Sequence, residues 1–540
     1  MRIRPGIRLP ILEKILLEAP SRLPTILAFT LLVVQLLIPW SVAHFVTQDG
    51  PSHVYSAITA RDVLMKRDSL QRYFYHFRPG VIPNWTTTVV LAATTAIAGA
   101  ARAEAVMVDL CVLVGFFSFQ YAARSLGRHP VGFVPLGNFV FNSWFLWLGF
   151  FNFSLGMAMV PAVLGYFFLH REDIDLRKAG LLAMAMLLVF FTHLVPAVIL
   201  VVAILTIAMW PDGRPHFALR LVPRLRLVCL ATLPTILLTT LYAAGQPKLA
   251  WEVDVTGALR TFPLHVFATA AGRIGGQDLL VSSVLLVVIV TILGFRTDEW
   301  RSEKGALAFV ALLCFAAYIF LPDKGLGGGE AKIRFSWAVF VLGCILVASR
   351  DRSRFDILFT IYIAILMSCN LYVTWQSVRG TSRAVEDYIA VTDLIPSGAT
   401  FVRVWYPTPV THSQYGMTLM GRDPLFHLDA YSASRKGSID LSDYEGLNPI
   451  FPLALRPRIG DGQRRALWSL EGPGPDVAES LRWLKKNLAR PIDYVVLVAE
   501  ETPVQESEPG FAQLVGSLES EMHIVAVSRG RFVRVYQRMP

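Results

Sequence analysis

The stretch Pro24–His53, PTILAFTLLVVQLLIPWSVAHFVTQDGPSH, decides how the rest of the chain is read. Its first part, Pro24 to Val46, is an apolar run long enough to cross the hydrocarbon core of a bilayer. Arg2, Arg4, Arg8, Lys14 and Arg22 precede it, with no small-residue cleavage site, so residues 1–23 read as a cytoplasmic tail before an uncleaved first helix. The chain then emerges on the outer side into a polar loop, 47–83, that opens with Gln48-Asp49-Gly50-Pro51-Ser52-His53. Gly50 and Pro51 impose a sharp turn, and Ser52 can cap the segment after it. Val54, Ala57, Ile58, Leu64 and Met65 recur at near-helical spacing, which predicts a short helix along the membrane surface. A carboxylate and an imidazole, Asp49 and His53, are thereby held together at the outer face. Asp49 could serve as a general base or bind a divalent cation (Mg or Mn). It could equally cap the turn, with His53 solvated.

Outward from that stretch the pattern repeats. Apolar segments run at Asn84–Ala101, Glu104–Gln120, Val131–Leu148 and Asn152–His170, and Ala179–Trp210 is long and broken at His193 and Pro196. Leu227–Gly245, Leu279–Phe295, Gly305–Leu321, Ile333–Ser349 and Phe355–Trp375 complete a membrane module over 24–375. The short basic loops at Arg171–Lys178, Arg214–Arg226, Arg296–Lys304 and Arg350–Arg354 are expected in the cytoplasm. The turn at His193, the loops Gln246–Asp278 and Pro322–Lys332, and everything after Trp375 then lie outside. Parity requires one early segment not to cross. Thr-rich Asn84–Ala101 is the weakest, which leaves about eleven full spans.

Composition agrees: 54% of the 540 residues are hydrophobic and 17% charged, where a soluble protein carries about a quarter. The net charge of +10 sits largely in short loops, and no basic stripe with interleaved aromatics argues for nucleic acid. Cys111, Cys229, Cys314, Cys344 and Cys369 all fall in apolar runs, so no disulfide framework is expected. Residues 376–540 have ordinary soluble composition. Arg383–Leu394 and Asp476–Lys486 read as helices, and Thr400–Trp405, Tyr494–Val498, His523–Val527 and Phe532–Tyr536 as strands. Tyr406–Gly474, rich in Pro, Gly, Ser and Asp, reads as loop. The expected fold class is a polytopic α-helical membrane protein with a C-terminal α/β extracytoplasmic domain.

Three further places could carry chemistry. Asp323–Arg334 is a glycine-rich outer loop whose Lys332 and Arg334 suit a lipid phosphate, although Arg334 could simply snorkel to headgroups. His193, at the break between two apolar spans, is costly unless it faces a polar cavity or is satisfied structurally. The aromatic stretch Trp144–Phe153 reads as an interfacial belt or as the wall of a sugar or lipid groove. No Walker A loop, HExxH, CxxC or Gly-x-Ser-x-Gly occurs.

Taken together, the chain resembles the GT-C superfamily of integral-membrane glycosyltransferases. The resemblance lies in an acidic residue in the first outer loop, a loop helix, about ten further spans and a C-terminal outer domain. It is carried by Asp49-Gly50-Pro51-Ser52-His53, Pro83-Asn84, Gly149-Phe150-Phe151-Asn152-Phe153-Ser154-Leu155-Gly156 and Arg334-Phe335, which are similar to a group of bacterial inner-membrane proteins. It implies transfer of a sugar from a polyprenyl-phosphate donor to a glycan, lipid or protein acceptor outside the plasma membrane. Asp49 would be the base, or the metal ligand if there is one, assisted by His53. His193, Asn152, Lys332 and Arg334 would bind substrate. The second acidic site common in the superfamily is absent from Trp147–Asn152, which raises the alternative of a non-catalytic relative binding an envelope partner. A transporter is a third reading, for which neither inverted repeats nor charges deep in the spans are evident.

Overall fold

The computed structural model describes residues 23–540, apart from 67, 128–133, 212–216, 247–253, 272–298, 324–328, 351–355, 407–408, 418–422, 457–469, 471–476, 488–490 and 501–508. The expected span Leu279–Phe295 lies outside the described residues. Among those described, Ala100–Leu126, Phe151–His170, Leu221–Ala244, Glu303–Phe320, Ala331–Ala348 and Ile357–Thr392 are long and apolar enough to cross a membrane. Shorter apolar helices, Leu23–Leu37 and Leu194–Met209 among them, accompany these. Their outward faces carry exposed Ile26, Val33 and Leu37, then Leu233, Leu237 and Leu241, then Leu358 and Ile365. Rows of large apolar side chains left in the open on several helices mark a surface made for lipid. This is a multi-pass membrane protein.

The break at His193 falls where the sequence places it, between helices Leu176–Thr192 and Leu194–Met209. His193 caps the second helix by accepting from the Val195 amide at 3.1 Å. Trp85–Ala98 is a helix of 14 residues, about 21 Å long and short of a bilayer core. Two expectations need correction. Val131–Leu148 is not one span but two pieces, Val134–Phe141 and Trp144–Trp147. The polar Asn142 sits at the interruption, bound to Gln35 at 3.1 Å, Asn370 at 2.6 Å and the Trp147 indole at 3.1 Å, partners that tie the break in place. Nor do Phe355–Trp375 and Arg383–Leu394 form separate helices. Asp356–Thr392 is one helix of 37 residues, about 55 Å long, that runs from the membrane module into the outer domain.

The C-terminal domain, called the outer domain after the side on which the sequence analysis expects it, is built on a five-stranded mixed sheet. Its strands are β2 (Thr400–Trp405), β3 (Ile439–Asp440), β5 (Tyr494–Val498), β6 (Met522–Val527) and β7 (Val533–Arg538), in the order β3-β2-β5-β7-β6. The central β5 is buried along its whole length, as its unbroken apolar run requires. The Tyr406–Gly474 segment is not simply loop. It folds helices Pro409–Tyr415, Leu428–Lys436 and Tyr444–Leu447, with β3 and β4 (Leu453–Leu455).

That segment is stitched to the first outer loop. Strand β1 (Tyr75–Phe77) pairs antiparallel with β4, Tyr75 opposite Leu455 and Phe77 opposite Leu453. Tyr75 donates to the Asp440 carbonyl at 2.9 Å, and the Asp440 amide donates to the Tyr55 hydroxyl at 3.1 Å. Arg78 reaches the carbonyls of Phe451 and Gly446 at 3.0 and 2.9 Å. These hydrogen bonds satisfy backbone groups of both segments across the seam and join the loop to the outer domain.

Candidate functional site

The site is assembled by the turn at Asp49. The helix Gly50–Met65 begins directly after it, and the Asp49 carbonyl accepts from the amides of Ser52 and His53 at 3.1 and 3.2 Å. The Asp49 side chain makes no cap hydrogen bond. It accepts from the Gln48 side-chain Nε2 at 2.8 Å and the Tyr444 hydroxyl at 3.4 Å, with His427 Nε2 at 3.7 Å. The stretch Gly149–Gly156 explains how the turn is held. Gly149 has φ of 81°, and a Cβ there would run into Thr47 and the amides of Asp49 and Gly50. The Asp49 amide also donates to the Leu148 carbonyl at 2.9 Å. About two helical turns on, Gly156 lies against Pro196 and His193. A single glycine-bounded motif thus seats both the Asp49 turn and the His193 break.

A cavity of about 210 Å³ lies between these elements. It is lined by Asp49, His53, Asn152, His193 and Arg334, with Asn84 of the Pro83-Asn84 pair and Glu330 of the glycine-rich loop, and by two residues the sequence reading did not single out, Tyr444 and Asn448. Phe150, Phe153 and Phe451 complete the wall. Lys332 is not among the lining residues; its amide donates to Asp323 at 3.2 Å. Two of the lining residues, Asn84 and Glu330, take left-handed backbone angles (φ 69° and 61°) that non-glycine residues rarely adopt. Strained backbone of this kind clusters where side chains must be aimed. Arg334 lies over the faces of Phe150 and Phe153, 5.6 and 5.3 Å from their centroids.

The outer domain furnishes the far wall. His427 stacks on Tyr444 with centroids 4.6 Å apart and rings tilted by 23°. Glu445 forms a buried ion pair with His53 Nδ1, and Ser52 donates to Asp443 at 3.1 Å. Burial disfavours a charged His53, but Glu445, and behind it Asp49 and Glu104, more than offset this and hold its pKa above the ordinary histidine value. Burial, reinforced by the charge of Glu445, pushes Asp443 up to about 8. Among the lining residues Glu330 is a second acid beside Asp49, while Asp443, Glu445 and Glu104 lie behind the wall, in contact with Ser52, His53 and the Thr47 amide. The run Asp440-Leu441-Ser442-Asp443-Tyr444-Glu445 was the available sequence signal. Among the described residues, however, no group of three or more His, Cys, Asp or Glu side chains is arranged to hold a metal ion.

A second, more apolar cavity of about 160 Å³ adjoins the first. Asn84, His193, Gly329, Arg334 and Ile450 line both. Leu194, Val195, Val198, Leu321, Pro322 and Phe335 add its hydrocarbon surface. A cavity of mixed lining around Asp49 thus lies beside a mainly apolar one, with Arg334 and His193 in the lining of both.

No protein-family model matches the sequence, and no curated protein matches it significantly. Solved structures do. The chain is similar to the arabinofuranosyltransferase AftD from Mycobacteria, with a TM-score of 0.50 at 15% identity, over 96% of this chain and 40% of that one. The chain therefore spans less than half the length of AftD. The oligosaccharyltransferase AglB from Archaeoglobus fulgidus, in complex with an inhibitory peptide and a dolichol-phosphate, superposes with a TM-score of 0.46 at 12% identity, over 96% of this chain and 74% of that one. ArnT from Cupriavidus metallidurans, bound to undecaprenyl phosphate, gives 0.39 at 13%, over 95% and 97%. At these identities the likeness is one of architecture alone: the chain shares its fold with the matching part of AftD.

Proposed function

We propose that this protein transfers a sugar from a polyprenyl-phosphate carrier to an acceptor on the extracytoplasmic face of the bacterial plasma membrane. The observation that supports the reading is that the two cavities share Arg334 and His193 as lining residues. A polyprenyl chain has the chemistry of the mainly apolar cavity. Its phosphate would meet Arg334, and its sugar would occupy the other cavity beside Asp49 and Asn152. Asp49 would take the proton from an acceptor hydroxyl as that oxygen attacks the anomeric carbon. The bond from the anomeric carbon to the phosphate oxygen breaks, and polyprenyl phosphate leaves with its charge held by Arg334. Lys332, near the same helix start, would act at longer range on the headgroup. Among the described residues no group of three or more His, Cys, Asp or Glu side chains around Asp49 is arranged to hold a metal ion.

Purified protein in lipid, given undecaprenyl-phosphate-linked pentoses and hexoses, tests this. Release of undecaprenyl phosphate is the expected result. Saturable binding of the donors without release, across the panel and with Mg or Mn added, would instead favour a binding protein built on the same architecture.

A further inference from the structure

The contact between His53 and Glu445 joins two segments far apart in the chain. His53 belongs to the loop helix that follows Asp49, and Glu445 to the outer domain. Both are buried, at 6% and 2% exposure, and they meet as an ion pair at Nδ1. Two charges removed from water in this way persist only as partners, because leaving either unpaired is strongly unfavourable. Phe151 and Phe451 flank the imidazole, each with its centroid 5.7 Å away, so the ring is fixed in orientation as well as in charge. Neighbouring contacts brace Glu445 from its own side: Asp443, which accepts from Ser52, also accepts from the Glu445 amide at 3.3 Å.

We propose that Glu445 is a positioning residue of the transfer reaction, holding His53 as an imidazolium beside Asp49 and making the outer domain an integral part of the catalytic centre. The inference rests on the transfer reading above. With Nδ1 committed to Glu445, Nε2–H is the donor His53 retains for a substrate oxygen. The imidazolium charge also favours the ionised form of Asp49, the form a base requires. The charged groups facing His53 are Glu445 from the outer domain, Asp49 from its own turn and Glu104 from the helix Ala100–Leu126. Glu445 is the one in direct contact. An outer domain that merely covered the site would not need to bury a carboxylate against a residue of the cavity wall.

The test uses full-length protein in lipid and release of undecaprenyl phosphate from the linked pentose or hexose that wild type turns over. Glu445→Gln is nearly isosteric and lacks the charge. It is expected to lower kcat at least about tenfold, to leave KM for the donor nearly unchanged, and to move the alkaline limb of the rate profile to lower pH. His53→Gln removes that limb without touching Glu445, so the comparison stands even where Glu445→Gln folds poorly. Because Glu445 acts through His53, Glu445→Gln combined with His53→Gln is expected to lose no more than His53→Gln alone. A folded Glu445→Gln protein with the wild-type profile and kcat, a His53→Gln protein that keeps the alkaline limb, or losses that add in full would overturn the inference while leaving the transfer reading intact. Absence of turnover in wild type would instead remove the reading and the inference together.

Discussion

The hydroxyl of Tyr444 reaches Asp49 Oδ2 at 3.4 Å, across 395 residues of chain. The candidate base is thus set by a residue of the outer domain as well as by its own turn. Removing that hydroxyl takes one donor from an ionised acceptor, an interaction worth about 1.5–3 kcal/mol when well formed and less at this length. Tyr444→Phe is expected to reduce turnover by about tenfold with little change in KM for the donor. Steady-state kinetics of the two proteins, with matched melting curves, measures it.

Arg334 lines both cavities. Arg334→Ala should weaken donor binding by on the order of a hundredfold, since a buried guanidinium facing phosphate is worth a few kcal/mol. Arg334→Lys should recover part of the loss, because charge returns but the planar fork and its stacking over Phe150 and Phe153 do not. Titration with undecaprenyl phosphate alone reports both effects, free of any chemical step.

Gly149 is predicted to tolerate no side chain. Its φ of 81° favours glycine, and a Cβ would press on the amides of Asp49 and Gly50. Gly149→Ala should cost about 1–3 kcal/mol of stability and a disproportionate share of turnover, because the strain falls on the Asp49 turn. Gly180→Ala, in the open on a helix with nothing near its Cβ, is the control and should be neutral or slightly stabilising.

The pH dependence of the seam between loop and outer domain has a definite sign. His53 and Asp443 both titrate above their ordinary values, Asp443 at about 8. Each therefore binds its proton more tightly folded than unfolded. The stability this confers is complete for His53 below about pH 6.5 and is lost as pH rises through its folded value. For Asp443 it declines from about pH 4 to about pH 8. Melting temperature should accordingly fall on the alkaline side. Asp443→Asn, which keeps an oxygen for Ser52 and cannot ionise, should flatten that fall between pH 6 and 8 and alter stability little at pH 5.

Much of the architecture was legible because apolar periodicity and length are local signals. The His193 break shows in its own neighbours, as does the helix Phe151–His170. The strands β2 and β5 have the boundaries their β-branched runs predict. Asn142 was not legible as a break, since its reason is contact with Gln35 and Asn370, far away in sequence. The continuous helix Asp356–Thr392 was missed because leaving the membrane changes composition without requiring a helix to stop. Of the site, the sequence singled out Asp49, His53, Asn152, His193 and Arg334, which converge on one cavity. His427, Tyr444 and Glu445 were hidden in a segment whose turn-forming residues read as loop. They join the site through contacts distant in sequence, the pairing of β1 with β4 and the Ser52–Asp443 hydrogen bond among them, which no local pattern encodes.

The most direct test of the central claim compares wild type and Asp49→Asn, in lipid, for release of undecaprenyl phosphate from its linked sugars. Asparagine fits the same turn but cannot accept a proton as a base. The account predicts turnover in wild type and a loss of at least about a hundredfold in the variant, with donor binding retained. A folded Asp49→Asn protein that releases carrier at the wild-type rate would contradict it.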